Sequence, residues 1–305
     1  MVPTEAPPPP PLAEAPSPRA EATPAPHGPT RELQFQRFTR LHRVLHVVMI
    51  VSFMSLALTG LTLKFSYTQW AAIVSRLFGG FQSAGYVHRV AAVLMFGVFV
   101  THLVDLARLK KREGLSLWQL VSGPSSMMFN RQDVRDFVGN LKWFLGKGPR
   151  PRLGRWTYWE KFDYFAVFWG IFVIGLTGVM LWFSELFTLL LPGWVLNVAT
   201  IIHSDEALLA VGFIFTVHFF NTHLRPEKFP MDIVIFTGRM PLEEFRRDKP
   251  AEYEALVRAG TLERYLVEPY PPIVLRTILV FGWAALTVGF SIVIWILYAM
   301  LFAYR

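Results

Sequence analysis

Five long apolar runs dominate the hydrophobic pattern of this 305-residue chain. A helix of about 20 residues crosses the roughly 30 Å of hydrocarbon in a bilayer. A shorter run between the third and fourth, LFTLLLPGWVLNVAT, is interrupted by Pro192 and Gly193 and is predicted to be an interfacial segment. The pattern predicts an all-α integral membrane helical bundle, with spans at approximately Val44–Phe65, Val87–Ala107, Phe162–Ser184, Ile201–Leu224 and Ile278–Tyr304.

The polar stretches divide the chain into four regions. Residues 1–30 hold 11 of the 22 prolines and contain no apolar run, so they predict a disordered tail and not a secretory signal. Residues 31–225 contain the first four spans. Residues 226–276 predict a short amphipathic cytoplasmic segment, and residues 277–305 hold the fifth, C-terminal transmembrane helix.

The composition narrows the cofactors that this chain can hold. It is 53% hydrophobic, with a mean hydropathy of +0.37, which is typical of a membrane protein. It contains no cysteine, which excludes disulfides, Cys-ligated iron–sulfur clusters and haem attached through thioethers. Any haem in this chain is therefore bound non-covalently.

The distribution of positive charge predicts the orientation in the membrane. Residues 108–161 carry 12 Lys and Arg residues and residues 224–277 carry 9, whereas residues 66–87 carry one and residues 184–202 carry none. The positive-inside rule places the two basic connections and the N-terminus in the cytoplasm. Because the net charge of +8 is concentrated at helix ends, it does not indicate nucleic-acid binding.

Histidines are placed at matched depths in two of the predicted spans. His88 and His102 are 14 residues apart, which puts them within about 40° of one helix face and about 21 Å apart. His203 and His218 are 15 residues apart, about 60° around the helix and about 22 Å along it. Ionisable groups at this depth are expensive and usually functional. The spacing predicts two bis-imidazole sites, with His88 and His203 near the outer surface and His102 and His218 near the inner one.

An internal repeat accompanies these histidines. LTGLTLKF ends the first span and LTGVMLWF ends the third, and each is followed by a helix that begins near a histidine. Gly60 and Gly178 are predicted to let a flat macrocycle approach the backbone, although each alone is also typical of close helix packing. Zinc needs about four ligands at about 2 Å, so imidazole pairs in separate leaflets favour iron porphyrin instead.

These residues resemble the membrane cytochrome b subunits of respiratory complexes, including the gamma subunit of formate dehydrogenase and the cytochrome b subunits of nickel–iron hydrogenase and thiosulfate reductase. The resemblance implies a four-helix core that binds haem b, over about residues 31–225. It implies that His88 and His203 bind the outer haem, and that His46 and His218 bind the inner one. The segments that carry it are RFTRLHRVLHVVMIVSFMSLALTG, HRVAAVLMFGVFVTHL and HSDEALLAVGFIFTVHFFNTH.

Two alternative schemes remain for the histidines that bind the inner haem. The spacing of 15 is also similar to that of bc-type cytochrome b, in which His102 and His218 would form the inner pair. His102 and His223 are additional to the dehydrogenase pattern. If His46 and His102 both bind iron, His223 is the remaining partner and a third haem follows. The candidate iron ligands are therefore His46, His88, His102, His203, His218 and His223.

The resemblance implies electron transfer between the quinone pool and a partner redox subunit, such as a multihaem cytochrome or an iron–sulfur protein. The chain would then be the electron-transfer subunit of a quinone-linked oxidoreductase in the inner membrane of a bacterium, in contact with membrane lipid and quinone and with no nucleic acid. Two alternatives remain. One is a cofactor-free transport or assembly protein in which histidines relay protons. The other is a stand-alone quinol-oxidising cytochrome b.

Overall fold

A computed structural model describes residues 33–123 and 125–303, and the predicted disordered tail lies outside these residues. The fold is almost entirely helical, which confirms the all-α class. The α-helices of the described residues, in chain order, are α1 Arg40–Lys64, α2 Gln69–Leu77, α3 Phe81–Arg112, α4 Leu117–Ser122, α5 Arg131–Phe144, α6 Tyr158–Trp182, α7 Ser184–Thr188, α8 Gly193–Phe213, α9 Val234–Thr237, α10 Leu242–Asp248, α11 Pro250–Arg258 and α12 Pro272–Tyr298.

Five of these helices are long and apolar enough to cross a membrane, as the sequence predicts. They bury little surface inside the protein: 6% of the most apolar stretch of α6 is buried, and 28% of that of α12. Their outward apolar side chains suit contact with membrane lipid, so this is a multi-pass membrane protein. The spanning segments are Arg40–Lys64, Phe81–Arg112, Tyr158–Trp182, Gly193–Leu224 and Pro272–Ala303.

Prolines begin two of the spans earlier than the hydrophobic pattern predicts. Pro192 is the residue before α8, so Gly193 and its successors belong to the fourth span, and the predicted interfacial segment is reduced to the short α7. Pro272 likewise begins α12 ahead of the predicted Ile278. The first backbone N–H groups of a helix have no acceptor within it, so a proline there loses nothing and starts the helix instead of breaking it.

The spans form two hairpins with α12 packed beside them. In the described residues, α1 packs against α3 and α6 against α8, and α12 contacts α1 and the end of α8. Gly289 lets α12 approach the end of α8 closely. A Cβ at this position would lie 2.7 Å from the Phe215 ring and 2.6 Å from the Phe219 ring. The fifth helix is thus part of the bundle core.

The C-terminal end of α8 widens into π-helical turns at Ile214–His218 and Phe220–Leu224, and α12 ends similarly at Ala299–Ala303. A regular α-helix would place His218 and His223 about 140° apart. The i→i+5 bonding of π turns, which occur frequently at functional sites, brings residues five apart towards one face. The regular α-helical geometry assumed for the spacing of His203 and His218 therefore does not continue to this end of α8.

A small three-stranded antiparallel sheet adds an element that the hydrophobic pattern does not predict. Its strands are β1 Gln34–Gln36, β2 Arg239–Pro241 and β3 Leu266–Val267, with β1 in the centre. Phe35 of β1 is 2% exposed and stacks on Phe245 at 3.7 Å between ring centroids. Together with a 3₁₀ turn at Leu262–Tyr265, the sheet turns the segment predicted as residues 226–276 into a packed module that includes the strand before α1.

Buried ion pairs fix this module to the start of α6. Arg37 donates to the Arg155 carbonyl at 2.9 Å and pairs with Glu160 at 3.1 Å. Lys249, whose side chain is 6% exposed, pairs with the same carboxylate at 2.6 Å. Glu160 therefore joins the segment before α1, the start of α6 and the start of α11.

Candidate functional site

Two histidines from different hairpins face each other near one end of the bundle. His88 lies on α3 and His203 on α8, and their ring centroids are 6.3 Å apart with an interplanar angle of 71°. The predicted outer pair is thus brought together, each ring supplied by the second helix of its hairpin.

The tautomer of His88 is set by a threonine of the neighbouring helix. Thr59 Oγ1 lies 2.9 Å from His88 Nδ1. The Thr59 hydroxyl donates its own hydrogen to the Ser55 carbonyl at 2.6 Å. It can therefore only accept from the ring, so Nδ1 carries the proton and the lone pair of Nε2 is left for another partner.

The second hairpin repeats this arrangement around His203. Its Nδ1 donates to the Ile174 carbonyl at 2.9 Å and lies 3.3 Å from Thr177 Oγ1. The Thr177 hydroxyl donates to the Val173 carbonyl at 2.8 Å. Protonated Nδ1 again leaves Nε2 with a lone pair. A metal-bound histidine needs this state, with the second nitrogen held by an oxygen acceptor.

The repeated glycines make room for these two rings. A Cβ on Gly60 would lie 3.1 Å from His88 Cε1, and one on Gly178 would lie 2.9 Å from His203 Cε1. The sequence predicted that they admit a macrocycle to the backbone. In the structure, the group that approaches each glycine is the imidazole of the same hairpin.

A salt bridge closes this end of the site. Lys64 at the end of α1 donates to Asp205 at 2.9 Å and to Ser204 at 3.0 Å, both just after His203. Asp205 therefore connects the first hairpin to the second.

A second group of histidines lies where α1 meets the π-helical end of α8. His46 is close enough to His218 and His223 to interact electrostatically with both. His218 Nδ1 donates to the Asp163 carboxylate at 3.0 Å. Among the described residues, the buried Nδ1 atoms of His46 and His223 have no hydrogen-bond partner. Because buried polar atoms are rarely left without a hydrogen-bond partner, these two unpaired nitrogens are consistent with a site that binds a ligand.

His102 belongs to a different set of contacts. Its Nε2 lies 2.8 Å from the Tyr164 hydroxyl. The ionisable groups that act on it electrostatically are His42 and Asp105, and these pair with each other at 3.4 Å. The structure therefore brings His46, not His102, to His218.

The outer pair has the dimensions expected for iron between two imidazoles. A bond of about 2 Å from a metal to each ring nitrogen, with half the width of each ring added, corresponds to a centroid separation of about 6 Å, as observed. In the part of the chain that the structure describes, no three His, Asp or Glu side chains are grouped to hold a metal ion. Imidazole pairs suit haem, in which the macrocycle supplies the other ligands.

Four residues of these sites were missed by sequence reasoning: Thr59, Thr177, Asp163 and Tyr164. The two threonines could have been found from the sequence, because Thr59 and Thr177 stand directly before the glycine in the first and second copies of LTG. Asp163 and Tyr164 lie in WEKFDY at the start of the third span, where the mixture of charged and aromatic residues suggests only interfacial anchoring.

No protein-family model matches the chain, and a search of curated proteins finds no match.

Proposed function

We propose that this protein is a membrane-embedded b-type cytochrome subunit that transfers electrons between the quinone pool and a partner redox protein. The observation that carries the proposal is the His88–His203 pair, in which two equivalent hairpins each present an imidazole with protonated Nδ1. A packing histidine needs neither a matched partner nor this tautomer. The four-helix arrangement of α1, α3, α6 and α8 is the proposed haem core.

The outer haem would be held by His88 and His203. When bound, haem supplies a one-electron couple whose potential depends on its axial ligands and their hydrogen bonds. Thr59 and the Ile174 carbonyl hold the two rings in a fixed orientation and make them more basic ligands. The apolar helix faces exclude water from the pair.

The inner haem would be held by His46 and His218. The proximity of His46 to His218, and the contact of His102 Nε2 with the Tyr164 hydroxyl, support this pairing over His102 with His218. A carboxylate on Nδ1 keeps Nε2 of His218 free and strengthens its donation to a metal. His223, on the same π-helical end, would serve a third haem or move a proton near the inner one.

Quinone would react near the inner haem, where protons can be exchanged with the aqueous phase. At the ends of α1, α3 and α6, His42 pairs with Asp105 at 3.4 Å and His102 is hydrogen-bonded to Tyr164 at 2.8 Å. These groups can accept or release protons in turn. By the positive-inside rule, this end faces the cytoplasm of a bacterium.

A reduced-minus-oxidised absorption spectrum with haem counted per protein tests the proposal. The purified protein should show a reduced b-type spectrum and at least two haems per chain. His88→Ala and His203→Ala should each remove one haem equivalent, while the matched histidine substitution His27→Ala should remove none. A protein without Soret absorption after haem-replete expression would establish the cofactor-free alternative.

A further inference from the structure

Helix α5, outside the proposed haem sites, is built with its polar side inward. It begins at a capping box, in which Asn130 and Asp133 accept from each other's backbone N–H groups. Asp133 is 4% exposed and Asp136 is 7% exposed. Asp133 pairs with Lys161 of α6 at 2.9 Å, both side chains being buried. A surface helix of a soluble protein normally buries its apolar side instead.

The side of α5 that faces away from the protein is an apolar stripe. At 100° per residue, its members fall within about 120° of the helix circumference. Val134 is 65% exposed, Leu141 is 50% exposed and Phe144 is 82% exposed. We define the apolar stripe as Val134, Phe137, Val138, Leu141, Phe144 and Leu145. Contiguous exposed apolar surface of this kind indicates contact with another apolar phase.

Three basic residues follow one flank of the stripe. Arg131, Arg135 and Lys142 lie within about 40° of one another around the helix, and all are exposed. They line a groove along α5 together with Val134, Val138 and Gly139. We call these three residues the basic row. An apolar stripe bordered by such a row is typical of a helix that lies in the plane of a membrane surface.

The position of α5 against α6 sets the depth of the stripe. The Asp133–Lys161 pair holds α5 to the first turn of a spanning helix. Phe137 contacts the Tyr158 ring edge-on at 5.5 Å, and Phe129 contacts Phe165 at 6.2 Å. Tyrosine at the start of a span marks the headgroup level of a bilayer. The stripe therefore lies where headgroups meet acyl chains.

We propose that α5 is an in-plane helix whose apolar stripe inserts into the leaflet at the N-terminal end of α6, and whose basic row binds the phosphates of anionic phospholipids. The stripe is continuous with the lipid-facing surface of α6, and the charge of the row is complementary to such headgroups. The buried Asp133–Lys161 pair fixes the rotation of the helix, so that the stripe and the row meet the membrane together.

Spin labels on single cysteines measure the insertion, and the chain has no cysteine to remove. Full-length protein is labelled at Val138→Cys or Leu141→Cys and placed in nanodiscs of phosphatidylcholine and phosphatidylglycerol. Both labels should collide readily with oxygen and poorly with a water-soluble nickel chelate. Gln132→Cys, exposed on the opposite side of the same helix, should show the reverse.

Native mass spectrometry of protein released from the same nanodiscs measures lipid binding. Replacing Arg131, Arg135 and Lys142 with Gln should lower the phosphatidylglycerol retained per protein by at least about tenfold, since each cation near the surface adds several-fold in affinity and the three factors multiply. The matched control replaces Lys110, Lys111 and Arg112 at the end of α3 with Gln. It removes the same charge without an adjoining apolar stripe and should change retention less than twofold.

Three outcomes overturn the proposal. Labels at 138 and 141 that are open to the nickel chelate would show that the stripe does not insert. Equal loss of phosphatidylglycerol from the two triple variants would show that the basic row binds this lipid no better than the control cations at the end of α3. Labels exposed in nanodiscs but shielded in native membranes would show that a protein partner, not lipid, covers the stripe.

Discussion

Thr59 Oγ1 lies 2.9 Å from His88 Nδ1, whereas Thr177 Oγ1 lies 3.3 Å from His203 Nδ1 and the Ile174 carbonyl, at 2.9 Å, is the nearer acceptor. His88 also has a backbone acceptor, at Leu56. The two hairpins therefore offer the same kinds of acceptor but differ in how close each threonine lies to its ring, and this difference separates the two halves of the proposed outer site experimentally.

Thr59→Val should weaken outer-haem binding more than Thr177→Val. Loss of a hydrogen bond to a ligating histidine typically costs about 10- to 100-fold in affinity. Thr59→Val removes an acceptor that lies 2.9 Å from its ring, whereas Thr177→Val removes one at 3.3 Å and leaves the nearer Ile174 carbonyl in place. Haem per protein and the midpoint potential of each haem measure the effect. The control is Thr62→Val, because that buried hydroxyl donates only to the Leu58 carbonyl in its own helix. Equal losses in all three variants would contradict the role given to Thr59.

Gly178→Ala should disturb its histidine more than Gly60→Ala does. The added methyl would lie 2.9 Å from His203 Cε1 in the first case and 3.1 Å from His88 Cε1 in the second. We expect lower haem content and melting temperature, with Gly178→Ala the lower of the two. Gly97→Ala in α3 has open space around its Cβ and should match the parent or be up to about 1 kcal/mol more stable.

Single alanine variants decide the inner ligands. His46→Ala and His218→Ala should each abolish the inner haem, while His102→Ala keeps it and slows quinol oxidation. Asp163→Asn should retain the haem but raise its potential, because a weaker acceptor on Nδ1 makes His218 a poorer donor to the oxidised iron. Loss of haem at His102 but not at His46 would instead support the bc-type scheme. Losses at His46, His102 and His223, from a parent with three haems, would establish the tri-haem form.

Two buried lysines of the module have pKa values shifted in opposite directions, so their contributions to stability should respond differently to pH. Burial lowers the pKa of Lys249 to about 8, although Glu160 opposes this. Burial also opposes the charge of Lys228, but Asp232 and two further carboxylates outweigh it and raise that pKa above 10.5. Between pH 8 and 10.5 the unfolded chain therefore binds more protons than the folded chain at Lys249, and stability from this group rises with pH.

Thermal melting of the parent and of two methionine variants measures this difference. Relative to Lys249→Met, the parent should gain stability as the pH rises from 8 to 10, by at most roughly 1.4 kcal/mol per unit. Relative to Lys228→Met, it should change little, because the raised pKa keeps Lys228 charged throughout. A parent that loses stability against Lys249→Met over this interval would contradict the direction of the shift.

The sheet supplies a test of membrane topology that does not depend on charge. Because β1 pairs with β2, residues 34–36 and 239–241 lie on one side of the membrane. The four spanning helices between them supply the even number of crossings that this pairing needs.

Reporter fusions should give the direction of those crossings. A cytoplasm-specific reporter should be active after Lys147 and inactive after Leu190, because the basic connections carry most of the positive charge. A fusion after Arg305 should be inactive, since a fifth span follows. The reverse pattern at Lys147 and Leu190 would invert the proposed orientation.

The spans and the depths of the histidines could be predicted because both depend on local periodicity. Each span is a continuous apolar run, and residues on one helix keep fixed rise and rotation. That regular geometry ends at the C-terminal end of α8, where π turns replace it around His218. Nothing in the periodicity of FTVHFFNTH signals that change.

The sheet and the orientation of α5 could not be read from local pattern. β1 finds its partners only after most of the chain has folded, and three residues of QFQ carry little strand signal alone. For α5, the period of the apolar residues is clear, but the direction in which they face depends on Asp133 meeting Lys161 of another helix. Such pairings are properties of the tertiary structure.

Because β1 is the middle strand of the sheet, this module is completed late in synthesis. Gln36 leaves the ribosome roughly 200 residues before Arg239 and before four spanning helices have been inserted. Contacts between such distant residues form slowly, because a long chain must be closed first. Phe35 therefore lacks the side chains that pack around it until residues up to 267 have been synthesised, just before α12 begins. Nascent chains that stop short of β2 should leave this strand open to protease, whereas chains that include β3 should protect it.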